Sequence, residues 1–421
     1  PATPAPIIRK SYLYTIVFRL SFAKVQINFV TLQAIMKKLA FLLVLCCFAT
    51  ALSAQEHLRS KLNALLDDPL FETSQVSLMV YDLTDDHALY QYNARQMMRP
   101  ASTMKVITAI TALDRLGGDY MFCTRFCYTG QIRKGKLTGN LYCVGGFDPM
   151  LTDDDIKFMV ARLYELGIDT LRGNIYADRS MKEPLEYGEG WCWDDDNPRL
   201  NPLTLGRQDT FIDHLQQELS NIGVVLQNVT TGDAVCPPNA RLICSRFHNL
   251  DQVMDRMMKK SDNFHAESVF YQIAASTGKP LCKASDASAI VRQLIKRVGL
   301  GNLPYRIADG SGLSLYNYVS AELETMMLRY AWRNSNIYEH LARSLPIAGI
   351  DGTLQNRMRN TAAQGNVRAK TGTVTGISSL AGYCTAANGH QLCFSIINQG
   401  VMRAAQGKAF QDKVCRVLCE P

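Results

Sequence analysis

The chain is poor in histidine, with seven among 421 residues. None stands with cysteines or acids at the spacing of a zinc site, which argues against a metallopeptidase and gives no reason to expect a metal or any other cofactor. Long apolar runs are also missing. The longest early one, Leu39–Phe48, is too short to span a bilayer, so no stable membrane span is expected. No basic cluster, internal repeat or low-complexity stretch occurs. The formal charge of +7 owes six basic residues to the first 38 positions, Arg9, Lys10, Arg19, Lys24, Lys37 and Lys38, and no acid offsets them there. The rest of the chain is therefore near neutral, and a nucleic-acid partner is not indicated.

What is present begins with an export signal. Lys37 and Lys38 precede the apolar run, and "ATALSAQ" follows it, which is the pattern of a secretory signal peptide over 36–54, cut after Ala54 or Ala51. Residues 1–35 lack this order and are read as upstream translation outside the mature protein. The mature chain is expected to be exported and periplasmic. Its eleven cysteines, an odd number, suit an oxidising compartment, although spacing does not fix a pairing.

Hydrophobic periodicity then gives the organisation. "EHLRSKLNALLDD" carries its leucines on one helical face, and "QVSLMVYDL" and "HALYQYN" read as strands joined at "TDD". A helix is expected to follow and to stop at Gly117–Gly118. Between 119 and 248 the texture shifts to short strands, one clear helix and loops rich in Asp, Gly and Pro. Helical patterns return after 249, and Asn388–Gly389 marks a hairpin between two late strands before a closing amphipathic helix. The expectation is an α+β core whose ends meet, made of 55–118 and 249–421, with 119–248 inserted.

Three short motifs carry the chemistry. Ser102 and Lys105 lie three apart in "RPASTMKVITAI", where one helical face would bring hydroxyl and amine together. An amine takes a proton only when neutral, and the apolar neighbours Met104, Val106, Ile107 and Ile110 would bury it. The same stretch also reads as a serine cap with a surface lysine. Ser-x-x-Lys occurs twice more, at Ser21/Lys24 and Ser276/Lys279. The second motif is Ser261–Asp262–Asn263, whose hydroxyl and carboxamide suit proton relay and carbonyl binding, or an ordinary capping turn. The third is Lys370–Thr371–Gly372–Thr373 on an expected edge strand: a cation and a hydroxyl for a carboxylate, with a glycine that permits close backbone approach.

In this order the three form the S-x-x-K, S-D-N and K-T-G set of penicillin-binding proteins and class A β-lactamases. Beyond them, "PASTMKVITAITAL", "GGFDPMLT", "GWCWDDDN" and "ADGSGLSLYN" resemble segments of D-alanyl-D-alanine carboxypeptidase/endopeptidases of the penicillin-binding protein 4 type. That family carries a large insertion between the first two motifs, and 155 residues separate Lys105 from Ser261 here. The resemblance implies a penicillin-binding/β-lactamase-like transpeptidase core, an antiparallel sheet with flanking helices, interrupted by a β-rich inserted domain. It implies Ser102 as acylated nucleophile, Lys105 as its base, and Ser261 and Asn263 in proton transfer and substrate placement. Lys370 and Thr371, beside Gly372 and Thr373, would hold a terminal carboxylate. Backbone N–H groups of Ser102 and Thr373 would form the oxyanion hole, and Asp195 would receive a free amine. The implied partners are peptidoglycan stem peptides, with β-lactam antibiotics as inhibitors. Two alternatives remain at this point. A β-lactamase is disfavoured by the lack of an E-x-x-L-N segment, and a non-catalytic wall-binding homologue by the intactness of all three motifs.

Overall fold

A computed structural model describes residues 56–420 and, before them, only Phe18, Arg19, Phe22 and Lys37. Apart from Lys37, the expected signal peptide lies outside the described residues. All elements named below belong to one unit that begins at Leu62.

Two strands near the start, β1 (Gln75–Asp82) and β2 (His87–Tyr92), form the early hairpin. Helix α1 (Met104–Leu116) follows and ends at Gly117, as its sequence predicts. The next stretch builds a second sheet from β3 (Met121–Tyr128), β4 (Gln131–Arg133), β5 (Lys136–Thr138), β6 (Leu141–Val144), β7 (Thr170–Asp178), β8 (Val225–Asp233) and β9 (Arg241–Asn249). Helix α2 (Asp153–Glu165) connects β6 to β7, and α3 (Phe211–Asn221) connects β7 to β8. Because β6, β7 and β8 run parallel, each connection must cross over, and a helix provides the length. Phe126, Leu141, Ile175, Met159, Phe211 and Leu215 close a separate apolar core between this sheet and its two helices.

The chain then returns through α4 (Leu250–Lys259), α5 (Asn263–Ala275), α6 (Ala284–Arg297), α7 (Ala321–Trp332) and α8 (Ser335–Ser344). Three final strands and a helix complete the core: β10 (Arg368–Val374), β11 (Gly376–Thr385), β12 (Gln391–Val401) and α9 (Ala404–Cys419). Asn388–Gly389 lies in the β11–β12 turn, with Gly389 at φ 86°.

The first sheet has the order β10-β11-β12-β1-β2 and is antiparallel throughout. Strand β1 pairs with β12 from Gln75↔Gln399 to Asp82↔Leu392, so the two ends of the chain meet at its centre. This is an α+β fold with a second sheet set between the halves of the first. Helix α9 covers one face of β11, close enough that a Cβ on Gly407 would lie 2.6 Å from Ser378 Cβ. Helix α7 covers β12 and β1, and α1 packs against α5, α6, α7 and α8. Residues Val106, Ile107, Ile110, Phe264, Phe270, Leu328 and Ile397 are all buried in the resulting core. The edge position expected for the Lys-Thr-Gly strand holds, since β10 ends the sheet.

One local detail departs from expectation. Ser102 neither caps α1 nor begins it. It sits in a 3-10 turn, Ala101–Thr103, and the α-helix starts at Met104. Ala101 takes φ 50°, a left-handed conformation unusual for a residue with a side chain. The turn is shaped by its neighbours, not by a capping hydroxyl.

Candidate active site

The turn that holds Ser102 is gripped by two glycines. A Cβ on Gly312 (φ 84°) would stand 1.8 Å from the carbonyl oxygen of Ala101, so only glycine fits there. A Cβ on Gly372 would meet Ser379 Oγ at 2.1 Å, Pro100 O at 2.8 Å and the Ser102 nitrogen at 2.9 Å. The edge strand therefore lies flat against the serine turn, which is why a glycine follows Lys370 and Thr371.

Lys105 projects from the first turn of α1 and is fully buried. Its Nζ lies 2.8 Å from Ser102 Oγ, 2.8 Å from Asn263 Oδ1 and 2.7 Å from Ser311 O. Burial pulls its pKa down to about 8, against the opposing pull of Asp309, Glu267 and Asp262. Asn263 reaches the amine because it opens α5, whose cap is Asp262: the Asp262 carboxylate accepts the His265 N–H at 3.1 Å. Ser261 precedes the cap at φ 58°, and its hydroxyl accepts from Lys370 Nζ at 2.9 Å. Lys370 also donates to Thr371 O at 2.7 Å. It is wholly buried, and burial, then the nearby Lys105, hold its pKa well below the usual lysine value.

The three motifs thus converge as two amine–hydroxyl pairs, Ser102–Lys105 and Ser261–Lys370. Ser102, Ser261 and Asn263 remain partly accessible and Thr373 is exposed, so the pairs face solvent from a buried floor. The competing Ser276/Lys279 pair is explained otherwise. Ser276 caps the end of α5, its hydroxyl donating to Ile273 O, and Lys279 forms an exposed ion pair with Asp286 at 3.0 Å. Ser21 and Lys24 lie outside the described residues.

Several groups that sequence reasoning missed support this floor. Glu267, on α5, accepts the N–H of Gly310 at 3.1 Å and of Ser311 at 2.8 Å, which fixes the carbonyl that Lys105 uses. Burial, then the charge of Asp309, push Glu267 up to about 8. Asp309 itself accepts from Gly312 N, Ser314 N, Asn317 Nδ2 and Trp191 Nε1, all at 2.7–2.8 Å. The available signal was the spacing within "ADGSGLSLYN", where an acid, two glycines and an asparagine fold on each other. Thr353, in the turn Gly352–Leu354, shares a hydrogen bond with the Thr371 hydroxyl at 2.8 Å.

Asp195 lies on the loop after Trp191, partly exposed. That loop is joined to the floor by the Trp191–Asp309 bond and by Leu315 N donating to Gly190 O at 3.0 Å. Among the described residues no hydrogen bond or ion pair links the Asp195 carboxylate to the two amine–hydroxyl pairs. The structure brings its loop to the site, but not its side chain. One group of three potential metal ligands occurs among the described residues, Asp82, Asp85 and His390. It lies at the hairpin ends of the first sheet, away from the three motifs, and Asp82 is already bound there to His390 at 2.7 Å.

This arrangement agrees with what the chain resembles elsewhere. A D-alanyl-D-alanine carboxypeptidase of Actinomadura sp. is 28% identical over 86% of this chain and 84% of that protein. The D-alanyl-D-alanine carboxypeptidase DacB of Haemophilus influenzae is 26% identical over 78% of this chain and 86% of that protein. The crystal structure of penicillin binding protein 4 from Haemophilus influenzae shares the fold, with a TM-score of 0.76 at 23% identity, over 84% of this chain and 97% of that one. The sequence model of one peptidase family matches residues 58–204 and 205–420, nearly the whole described chain. The chain belongs to that family, the D-Ala-D-Ala carboxypeptidase 3 (S13) family, and is a serine-type D-Ala-D-Ala carboxypeptidase.

Proposed function

We propose that the enzyme works through an acyl-enzyme on Ser102 and acts on peptidoglycan stem peptides, removing terminal D-alanine and opening D-alanyl cross-links. The observation that carries this reading is the set of partners around Lys105. A neutral amine has two N–H donors and one lone pair. Ser311 O and Asn263 Oδ1 can only accept, and both lie within hydrogen-bond reach of Nζ. They use both donors and leave the lone pair facing the Ser102 hydroxyl at 2.8 Å. With its pKa pulled down to about 8, roughly a tenth of Lys105 is neutral at pH 7.

The steps follow from these positions. Ser102 Oγ attacks the carbonyl carbon of the penultimate D-alanine, and its proton passes to Lys105 Nζ. The Ser102 and Thr373 N–H groups stabilise the oxyanion, each contributing about 3 kcal/mol by analogy with other such donors. The C–N bond breaks as the leaving amine takes that proton from Lys105 by way of Ser261, which leaves Lys105 neutral again. Lys370 and the Thr371 hydroxyl hold the departing carboxylate, beside Gly372 and Thr373. Water then attacks the ester, gives its proton to Lys105, and frees Ser102. For a cross-link the same steps apply, with the leaving amine supplied by a neighbouring stem. Asp195, on its loop beside the site, would receive a free amine of the stem.

The same nucleophile would open a β-lactam ring and remain acylated. Penicillin binding protein 4 of Haemophilus influenzae, 25% identical with a TM-score of 0.73, has been solved with a novel beta-lactam. No helix among the described residues is long and apolar enough to cross a membrane. Export to the periplasm follows from the proposed cell-wall substrate. We retain 55–118 and 249–421 as the catalytic core and 119–248 as the insertion.

Labelling with a fluorescent penicillin tests the nucleophile: wild type is expected to label covalently and Ser102→Ala not at all, and equal labelling would refute the assignment. Digestion of purified wall fragments then separates the activities. Free D-alanine reports the carboxypeptidase, and loss of cross-linked dimers the endopeptidase.

A further inference from the structure

Against the Ser102 turn lies a further buried carboxyl group, Glu324 of α7, which reaches it through Thr103. It is fully buried, as are Thr103 and Ser395. Its Oε1 lies 2.5 Å from Thr103 Oγ1 and its Oε2 2.7 Å from Ser395 Oγ on β12. Thr103 Oγ1 also lies 2.8 Å from Pro100 O, and Ser379 Oγ of β11 lies 2.5 Å from that same carbonyl. Among the described residues no charged side chain pairs with Glu324; its partners, Thr103 of the Ser102 turn and Ser395 of β12, are hydroxyls.

These four contacts of 2.5–2.8 Å need one hydrogen each, whereas Thr103 Oγ1 and Ser379 Oγ, 3.3 Å apart, can meet without one. The hydroxyls of Thr103, Ser379 and Ser395 supply three, and a proline carbonyl supplies none. If Glu324 were a carboxylate, Thr103 would have to donate to it, and the 2.8 Å contact from Thr103 to Pro100 O would set lone pair against lone pair. A neutral acid resolves the count. Oε1–H donates to Thr103, Thr103 and Ser379 both donate to Pro100 O, and Ser395 donates to Oε2. We infer that Glu324 is a carboxylic acid in the working enzyme, and that it positions Ser102 by holding the Pro100–Thr103 turn through the Thr103 hydroxyl.

The physical setting agrees. Burial pushes Glu324 up to about 7, with the Thr103 and Ser395 hydroxyls holding it back. The turn also needs holding, because Ala101 sits at φ 50° and such a conformation persists only where its surroundings enforce it. Glu324 touches neither substrate nor Ser102, so it is a positioning residue and not a catalytic one.

The inference rests on Ser102 as the acylated serine, and one labelling assay can separate the two. Glu324→Gln keeps a donor for Thr103 and an acceptor for Ser395, so it is expected to acylate with penicillin within about threefold of wild type. Glu324→Ala and Thr103→Val remove the relay and are expected to acylate about 10- to 100-fold more slowly, the scale of a misplaced reacting group, while pre-covalent penicillin affinity changes less than about twofold. Independently of Ser102, the infrared difference between wild type and Glu324→Gln at neutral pH, where an ordinary glutamate is ionised, should contain a protonated carboxylic acid band. Should Glu324→Ala fail to fold, Glu324→Gln, Thr103→Val and the infrared band still decide. A Glu324→Gln enzyme as slow as Thr103→Val, a Thr103→Val enzyme at the wild-type rate, or a missing acid band overturns the inference. Labelling of Ser102→Ala would instead overturn the nucleophile and leave the infrared result standing.

Discussion

In the insertion a hydrated partner holds the buried Asp155 of α2 in its charged form; beside Ser102 burial drives Lys105, Glu267 and Glu324 toward their neutral forms. Burial pushes the Asp155 pKa up, but the Thr152 hydroxyl and N–H and the Arg246 guanidinium outweigh that and leave it below the ordinary value. Arg246 Nε sits 2.6 Å away, with its own side chain partly in water. Asp148 is likewise tied to His248 at 2.7 Å. Around Ser102 the opposite holds. Lys105 falls to about 8, Glu267 rises to about 8 and Glu324 to about 7, each mainly through burial. The lesson is that a buried charge with a hydrated partner is architecture, whereas a buried amine left close to neutrality is poised for proton transfer.

The largest effect should come from breaking the poised side. Lys105→Ala is expected to slow penicillin acylation by about 10²–10⁴-fold, measured by stopped-flow labelling, because it removes the proton acceptor. The insertion should respond differently. Phe211→Ala empties a fully buried site in the second core and should cost about 3–5 kcal/mol in denaturant unfolding. Its folded fraction should still acylate at the wild-type rate.

A pH profile sharpens the contrast without mutation. Lys105 must lose a proton to act and Glu324 must keep one, so acylation should rise roughly tenfold per pH unit below about 7, peak between about 7 and 8, and fall above. A profile flat from acidic pH upward would mean that the amine is not the acceptor. The smallest effect belongs to the seam between the regions. Trp191→Phe deletes the N–H that reaches Asp309 at 2.8 Å and should cost about 1–2 kcal/mol, visible as a lowered midpoint in thermal unfolding.

Legibility in the sequence followed the reach of each feature. The α1 stop at Gly117, the Asn388–Gly389 turn and the edge position of β10 were readable because local chain chemistry decides them. That Ser102 stands two residues before the start of α1 was not readable, since the turn around it is set by Gly312 and Gly372, two hundred residues and more away. Cys123 and Cys127, four apart, fit helical spacing, yet they lie on β3, where the same interval places both on one face of a strand. Glu267 and Glu324 carried no local signal, because a buried acid is recognisable only once its surroundings are known, whereas Asp309 lay in the legible segment "ADGSGLSLYN".

By itself, then, the sequence determined the order of the three motifs, the kinds of side chain brought to the reaction and the α+β pattern, because each depends on residue type and short-range periodicity. The tertiary structure alone decided the rest: that two lysines share one buried floor, that Ser311 and Asn263 lie within hydrogen-bond reach of the Lys105 amine, and that Glu324 stands behind the Ser102 turn. Desolvation and hydrogen-bond counting are properties of an assembled interior, and no stretch of chain contains them.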